Sequence, residues 1–334
     1  MLESSKVLSP LAVAVMLAGI GGCGLQHHVG APTESRSSVP HTDSASWLES
    51  VYQGRNDPTV QAAALVGYGA AGGSATWLRS VFENCPDPVI REGALLAYGV
   101  AGGPAMWLQT IFQTRSEPAL RAAALRAYGA AGGSTAWLQT AFEQCHDERC
   151  QAGALVGYGV AGGAPAWLQT VYLNQTSSSV QAAALVGYGA ARGDVGWLQS
   201  IYDDRNDTLV QGGALGGIGL AGGNTAWLQT VYTTRTDATV QAYALAAYGA
   251  AGGSSKWLQT VYSQEIDPGV QAGALTGLGL ADGSGSQLES VFQHRAEPHI
   301  QAAALEAYGL ASTNKSKARL AAALLVPTER VPSQ

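Results

Sequence analysis

The stretch Trp107-Leu108-Gln109-Thr110-Ile111-Phe112 decides the fold, because close copies of it recur through most of the chain. Its tryptophan returns every thirty residues, from Trp47 to Trp257, and a ninth copy has Gln287 in the tryptophan position. A fixed period of this length is typical of arrays in which each repeat contacts mainly its neighbours. The sequence therefore predicts nine repeats over residues 44–313 rather than one central core.

Each repeat is predicted to be a pair of helices. Counting the tryptophan as position 0, apolar residues occupy positions 0, 1, 4 and 5, which is the spacing of one helical face and not the alternation of a strand. A serine three residues earlier, such as Ser44 or Ser74, is a typical N-cap. A second helix is predicted from Asp57-Pro58 to Gly72-Gly73, since proline is tolerated in a first turn and glycine in a left-handed cap.

The second helix has two faces. At about 100° per residue, Val60, Ala64, Gly67, Tyr68 and Ala71 fall on one side and form the predicted buried stripe. Positions 15, 19 and 22 lie opposite that stripe. A glycine- and alanine-rich β-solenoid is the alternative, but the Asp-Pro starts and the lack of a period of two disfavour it. We expect an all-α protein, an α-solenoid of nine 30-residue helical hairpins that extends over roughly 75–90 Å at 8–10 Å per layer.

The second helix of the first repeat reads Val60-Gln61-x-x-Ala64-Leu65-x-Gly67-Tyr68-Gly69-x-Ala71-Gly72 after Asp57-Pro58. This run resembles the thirty-residue HEAT-like repeat first named in phycobilisome lyases, and Arg91 and Arg121 match the arginine of that pattern. The resemblance covers residues 44–313 and implies an array of helical hairpins. The tryptophan, the tyrosine in place of leucine and the low charge depart from the usual repeat, so the resemblance implies a fold and no particular activity.

The C-terminal residues 314–334 are predicted to form a capping helix and a tail. Asn314 stands at the next N-cap position, but Lys315, Lys317 and Arg319 replace the Trp-Leu face of the repeats. A terminal helix with a polar side is what an array needs in order to end in solvent.

The N-terminus carries a predicted export signal. Lys6 precedes a short apolar run that is too short to span a bilayer as a helix. The run ends in Ile20-Gly21-Gly22-Cys23, which resembles the lipobox of bacterial lipoproteins. The resemblance implies that residues 1–22 are cleaved off and that Cys23 carries a diacylglycerol and an acyl chain. An ordinary secretory signal with an incidental cysteine is the alternative.

Residues 23–43 are predicted to be a disordered tether, because they are rich in Ser, Thr, Pro, Gly and His and have no periodic apolar positions. Two or more acyl chains hold a protein stably on a bilayer. Gly24 follows the cysteine, and the sorting rule of the lipoprotein family then implies the outer membrane of a cell envelope, with a periplasmic or surface-facing array. A net charge of -6 argues against a nucleic-acid partner.

The predicted binding surface is the face opposite the buried stripe. In helical-pair solenoids the second helices line the concave side, so position 19 would line a weakly polar groove flanked by glutamines at position 14. An exposed apolar strip of this kind usually binds a partner, here an unknown protein or peptide. Tight curvature is the alternative reason for its small residues. The candidate groove residues are Val66, Leu96, Arg126, Val156, Val186 and Ala246.

Few residues suggest chemistry. Cys145 and Cys150 flank one inter-helix turn, where a disulfide, two unpaired thiols and a metal site all remain open. His294, Glu297 and His299 share another turn and could hold a metal weakly, but the preferred interpretation is that they are solvated turn residues. The G-x-G-x-x-G runs end helices and recur in several repeats, which indicates packing and not a dinucleotide site. No cofactor is expected apart from the covalent lipid on Cys23.

The predicted function is that of a membrane-anchored lipoprotein, acting as a protein-binding HEAT-like scaffold at the bacterial cell envelope and not as an enzyme. One alternative is a lyase-like or chaperone-like activity on a chromophore or protein bound against Tyr68, Tyr98, Tyr128 or the tryptophans. Another is a purely structural spacer. The tryptophan stretch itself is predicted to be core, since Leu, Val and Tyr or Phe share its helical face.

Overall fold

A computed structural model describes residues 44–325 of the 334-residue chain. The predicted signal, the tether, the lipidation residue Cys23 and the last nine residues lie outside the described residues. Within residues 44–325 the chain forms nineteen α-helices and no strand. The prediction of an all-α array of helical hairpins with a C-terminal helix is confirmed.

The helices alternate between two layers. The first helices of the repeats, called the outer helices, are α1 (Ser44–Gly54), α3 (Ala75–Asn84), α5 (Ala105–Thr114), α7 (Thr135–Gln144), α9 (Pro165–Asn174), α11 (Val195–Asp204), α13 (Thr225–Thr234), α15 (Ser255–Gln264) and α17 (Gly285–His294). The second helices, called the inner helices, are α2 (Pro58–Ala70), α4 (Pro88–Val100), α6 (Pro118–Ala130), α8 (Glu148–Val160), α10 (Ser178–Ala190), α12 (Thr208–Ala221), α14 (Ala238–Ala250), α16 (Pro268–Leu280) and α18 (Pro298–Ala311). The last helix is α19 (Lys315–Leu325).

The predicted helix boundaries follow from capping. The Asp57 carboxylate accepts hydrogen bonds from the backbone N–H groups of Thr59 and Val60, at 2.9 and 3.1 Å, at the start of α2. Helix α2 ends before Gly72, whose φ of +88° is a conformation that side chains other than glycine rarely adopt. The Gly73 N–H then donates to the Tyr68 carbonyl at 2.9 Å, which closes the turn.

Two inner helices, α6 and α18, begin without a side-chain cap. Glu117 and Glu297 stand at the cap position, but neither side chain makes a capping hydrogen bond. The Glu297 carboxylate instead pairs with Arg295 at 3.0 Å. At α19 the predicted cap is present, since the Asn314 side chain accepts from the Lys317 N–H at 2.9 Å.

The inner helices close into a ring. Each packs against the next along the chain, and α18 packs against α2. At this seam, the joint between the ninth and the first repeat, the Trp47 ring lies 5.7 Å from Phe292 and 4.4 Å from Tyr308 between centroids. The expected extended array of roughly 75–90 Å is therefore wrong, because nine repeats that turn by about 40° each complete a circle.

The curvature comes from small residues inside and large ones outside. A β-carbon placed on Gly93 of α4 would lie 2.9 Å from the Ala62 Cα of α2, so the two inner helices touch backbone to backbone. On the outer side, the Trp77 ring fills the widening gap between repeats, 5.5 Å from Tyr52 and 4.7 Å from Tyr68 between centroids. Glycine inside a helix costs about 0.5–1 kcal/mol relative to alanine, and close approach is what offsets it here.

Helix α19 occupies the bore, the space that the inner helices enclose. It packs against eight of the nine inner helices among residues 44–325, and the Arg319 Nε reaches the ninth, α14, by donating to the Ala250 carbonyl at 3.0 Å. Ala321, Ala322 and Ala323 are all buried, so protein surrounds this turn on every side. The C-terminal helix is thus a plug in the bore and not only a cap on the last repeat.

Candidate functional site

The predicted groove residues lie in the bore. Val66, Leu96, Arg126, Val156 and Val186 are buried, and only Ala246 keeps a partly exposed surface. The expectation of an open concave groove is wrong, because ring closure brings position 19 of every repeat to the centre and α19 fills that centre. The second helices are consequently buried on nearly all sides and not along one stripe alone.

Arg126 is the one candidate that contacts α19 through a hydrogen bond. Its Nη1 donates to the Leu324 carbonyl at 3.4 Å, and the side chain is 8 % exposed. Leu324 belongs to the last turn of α19, where backbone carbonyls have no partner inside the helix. A guanidinium at this end also complements the negative end of the helix dipole. Arg126 therefore acts as a receptor for the C-terminal end of a helix in the bore.

Glu306 is a further polar residue on this face, at position 19 of the ninth repeat. Part of its surface stays accessible within the bore, yet dense protein surrounds the carboxyl, and this burial raises its pKa to about 8. Its neighbour in the series, Thr276, is buried and satisfies its hydroxyl by donating to the Ala272 carbonyl at 3.1 Å. The bore is mostly apolar, and its polar residues include the buried Arg126 and the Glu306 carboxyl, whose raised pKa keeps it neutral below about pH 8.

The glutamines at position 14 are structural and do not flank a groove. The Gln211 Nε2 donates to the carbonyls of Tyr202 and Arg205, at 3.2 and 2.7 Å, and so holds the C-terminal end of the outer helix. Equivalent bonds are made by Gln61, Gln181, Gln241 and Gln301. Arg91 and Arg121 take this position in repeats two and three, where each guanidinium stacks on a phenylalanine of its own repeat, 4.5 and 4.6 Å from the ring centroids.

Arginines at position 8 connect neighbouring repeats. The Arg205 Nη2 donates to the Gln181 Oε1 at 2.8 Å, and its Nη1 donates to the Tyr172 hydroxyl at 3.4 Å. Repeat eight has Glu265 at this position, and the Tyr232 hydroxyl donates to it instead. Burial, followed by that hydrogen bond, raises the pKa of Tyr232 above its ordinary value. The polar side chains at position 8 thus form hydrogen bonds that connect neighbouring repeats.

The aromatic residues form the joints between repeats. Apart from Trp47, which is 8 % exposed, the tryptophans are half-buried, and each contacts one or two aromatic rings of the preceding repeat. The Tyr68 hydroxyl accepts a hydrogen bond from the Ser74 N–H at 2.9 Å, which anchors the start of the next outer helix. Tyr68, Tyr98 and Tyr128 are buried in these joints, so they offer no open surface to a chromophore.

The structure joins Cys145 and Cys150 in a disulfide, with their Cα atoms 5.5 Å apart. Both residues are buried, which places the bridge inside the inter-helix turn of the fourth repeat. Position 8 of that repeat is thereby tied to the start of its own inner helix, where other repeats use an arginine to reach the preceding repeat.

The three residues predicted as possible metal ligands, His294, Glu297 and His299, each have a different environment. The His294 Nδ1 lies 2.8 Å from the Ser290 carbonyl, and Glu297 pairs with Arg295, which lowers the pKa of Glu297 to about 2. His299 is half-buried, and this burial lowers its pKa. Residues 44–325 contain no group of three side chains that could hold a metal ion.

The chain matches no protein-family model, and a search of curated proteins finds no similar sequence. None of the helices within residues 44–325 has the length and apolar character needed to cross a membrane. The missed element of the site is α19, whose alanine-rich second half was the sequence signal for burial on all sides.

Proposed function

We propose that the protein is a lipid-anchored scaffold at the bacterial cell envelope and that it binds another protein. The observation that carries the proposal is the helix held in the bore. A ring of hairpins that encloses a helix is suited to holding a polypeptide. The side chains that line it are mostly apolar, and no described pair of them resembles a nucleophile and its base.

The anchor half of the proposal is supported by Ile20-Gly21-Gly22-Cys23 at the end of an export signal. With Cys23 as the first residue of the mature chain, the tether would separate the ring from the headgroups. Twenty-one residues of flexible chain have an r.m.s. span on the order of 25 Å. A ring on such a tether can meet a partner that is itself attached to the envelope.

The anchor is tested by metabolic labelling with a fatty acid and by membrane fractionation. We expect the wild-type chain to incorporate label and to sediment with membranes, and Cys23→Ala to do neither. Gly24→Ala changes the neighbouring residue and leaves Cys23 in place, so it is the control and should remain labelled. Equal labelling of wild type and Cys23→Ala would exclude the anchor.

The partner is tested by site-specific photo-crosslinking in living cells. Met106, Leu173 and Ile266 are exposed apolar side chains, at 78, 68 and 92 %, on different parts of the ring. We expect a photoreactive residue at one or more of these sites to give an adduct of a single defined mass, and the adduct to weaken when Cys23→Ala releases the ring from the membrane. A spacer would give only diffuse products at all three sites.

A further inference from the structure

The bore and α19 together have the properties of a receptor and its ligand. The contacts that close the ring come from α1, α2, α17 and α18, through Trp47, Phe292, Tyr308 and Gly67. Helix α19 packs against α2 and α18 as it does against other inner helices, but these aromatic and backbone contacts of the seam do not involve it. The ring can therefore stay closed when α19 leaves, and its central face would then be an empty apolar tunnel.

The shape of the tunnel selects its occupant. Inner helices surround α19 on all sides, and the residues that it buries most deeply are Ala318, Ala321, Ala323 and Leu324. Three successive buried alanines cannot lie on one face of a helix, since neighbouring residues are about 100° apart. The tunnel thus admits small side chains on every side of the helix at residues 321–323, and the large side chain that follows them, Leu324, lies in the last turn of the helix.

The occupant is held at its end by a specific contact. Arg126 donates to the carbonyl of Leu324 in the last helical turn, as described above. The entry side is looser, because Lys315 pairs with Asp282 at 2.8 Å between two exposed side chains. Exposed ion pairs contribute little to stability. Only three residues connect α18 to α19, so this occupant is present at a high local concentration.

Helix α19 gains its helical form from the bore. An isolated helix of its eleven residues is marginal in water, since helices shorter than about 12–15 residues are not stable alone. Leaving the bore therefore means unfolding, and entering it means folding on binding. A competing segment needs the same small residues, but it does not need to be helical beforehand.

We propose that the bore is a binding site for one alanine-rich helix of a partner protein, and that α19 is an exchangeable intramolecular ligand of this site. The proposal rests on the proposed function, because it names the site and the class of partner for a protein-binding scaffold. The ring with α19 inside is the closed state, and a partner helix that displaces α19 ends its C-terminal turn at Arg126.

The test uses the full-length chain and a fluorescent peptide with the sequence of residues 314–325. Ala322→Glu places a carboxylate at a buried position of α19 and should expel it, whereas Ser316→Glu makes the same change at an exposed position. Fluorescence anisotropy should show 1:1 peptide binding to Ala322→Glu, at least tenfold tighter than to the wild type or to Ser316→Glu. Arg126→Ala added to Ala322→Glu should weaken the peptide several-fold.

Two results would overturn the proposal. One is a folded Ala322→Glu ring, identified by an unchanged radius of gyration and helical circular dichroism, that does not bind the peptide. The other is equal binding by Ser316→Glu. If Ala322→Glu does not fold, a protease site inserted at Thr313 allows α19 to be cut after folding of the natural ring. The labelled peptide should then replace the cut helix, and a cut α19 that never exchanges contradicts the proposal.

These results separate the two proposals. Defined photo-adducts in cells together with no peptide binding would support the protein-binding scaffold. They would also show that its binding site is not the bore. Peptide binding without any defined adduct in cells would show that α19 exchanges in the bore, but it would contradict the binding of a partner protein.

Discussion

Two joints of the ring differ in a way that explains how it closes. The seam between repeats nine and one has no peptide connection, yet it contains a full aromatic joint in which Trp47 contacts Phe292 and Tyr308. The joint between repeats eight and nine is covalently connected and lacks this set, because Leu278 and Gln287 replace the tyrosine and the tryptophan. The seam, which depends on side-chain contacts alone, therefore contains the complete set of aromatic residues.

The seam copies the internal joints in geometry. The Trp47 ring is nearly perpendicular to Phe292, with an interplanar angle of 89°, and the Trp77 and Tyr52 rings make an angle of 88°. Arg55 lies over Phe292 at 4.8 Å from the ring centroid, as Arg235 lies over Tyr202 at 5.1 Å. Ring closure therefore needs no special interface, only a repeat angle that matches the number of repeats.

The largest expected effect follows from removing the seam tryptophan. Trp47→Ala removes two ring contacts from a buried site and should lower the free energy of unfolding by about 3–5 kcal/mol. Because no peptide holds this joint, the ring should also open, and small-angle X-ray scattering should show a larger radius of gyration. The control is Trp197→Ala, in which a half-buried tryptophan is lost from a connected joint. We expect a smaller loss of stability and an unchanged radius; an equal increase in radius would contradict the special role of the seam.

Glu306 on α18 should make the same part of the ring sensitive to pH. Its carboxyl is raised to a pKa of about 8 in the folded chain, from 4.5, so the folded state holds a proton that the unfolded state releases between these values. The contribution of Glu306 to stability is therefore fully present below about pH 4.5 and is lost as pH rises through about 8, by about 2–4 kcal/mol in total. Urea denaturation at pH 5 and pH 8 measures this difference. Glu306→Gln should abolish most of it, and a Gln variant with the wild-type slope would show that another group is responsible.

Gly67 at the seam should be harder to replace than a glycine with open space around it. A β-carbon on Gly67 would lie 2.7 Å from the Leu305 carbonyl oxygen, which is backbone and cannot rotate away. Overpacking costs about 1–3 kcal/mol, and the better helix propensity of alanine returns about 1 kcal/mol. Gly67→Ala should thus lose up to about 2 kcal/mol in a urea melt. Gly54→Ala, with nothing within 4 Å of the added atom, should lose nothing, and equal losses would rule out the backbone contact as the cause.

The sequence predicts local structure here better than it predicts closure. Asp57-Pro58 and Gly72-Gly73 determine where α2 begins and ends, because capping and φ preferences act within a few residues. Closure depends on the sum of the nine angles between neighbouring repeats. No short sequence motif determines these angles. The burial of Val66 and Val186 could not be predicted either, since it depends on a helix that follows the last repeat.

The smallest expected effect comes from completing the joint between repeats eight and nine. Leu278→Tyr with Gln287→Trp would place there the pair that Trp77 and Tyr68 form, at 4.7 Å, elsewhere in the ring. Aromatic pairs of this kind contribute about 0.5–1.5 kcal/mol beyond their burial, so the double variant should be more stable than the wild type by about 1 kcal/mol. Either change alone should gain less, because each ring would lack its partner. A double-mutant cycle in urea measures the coupling, and a coupling of zero would mean that the tryptophans act as independent fillers and not as paired joints. The radius of the ring should stay constant throughout, since the joint is already closed by the chain.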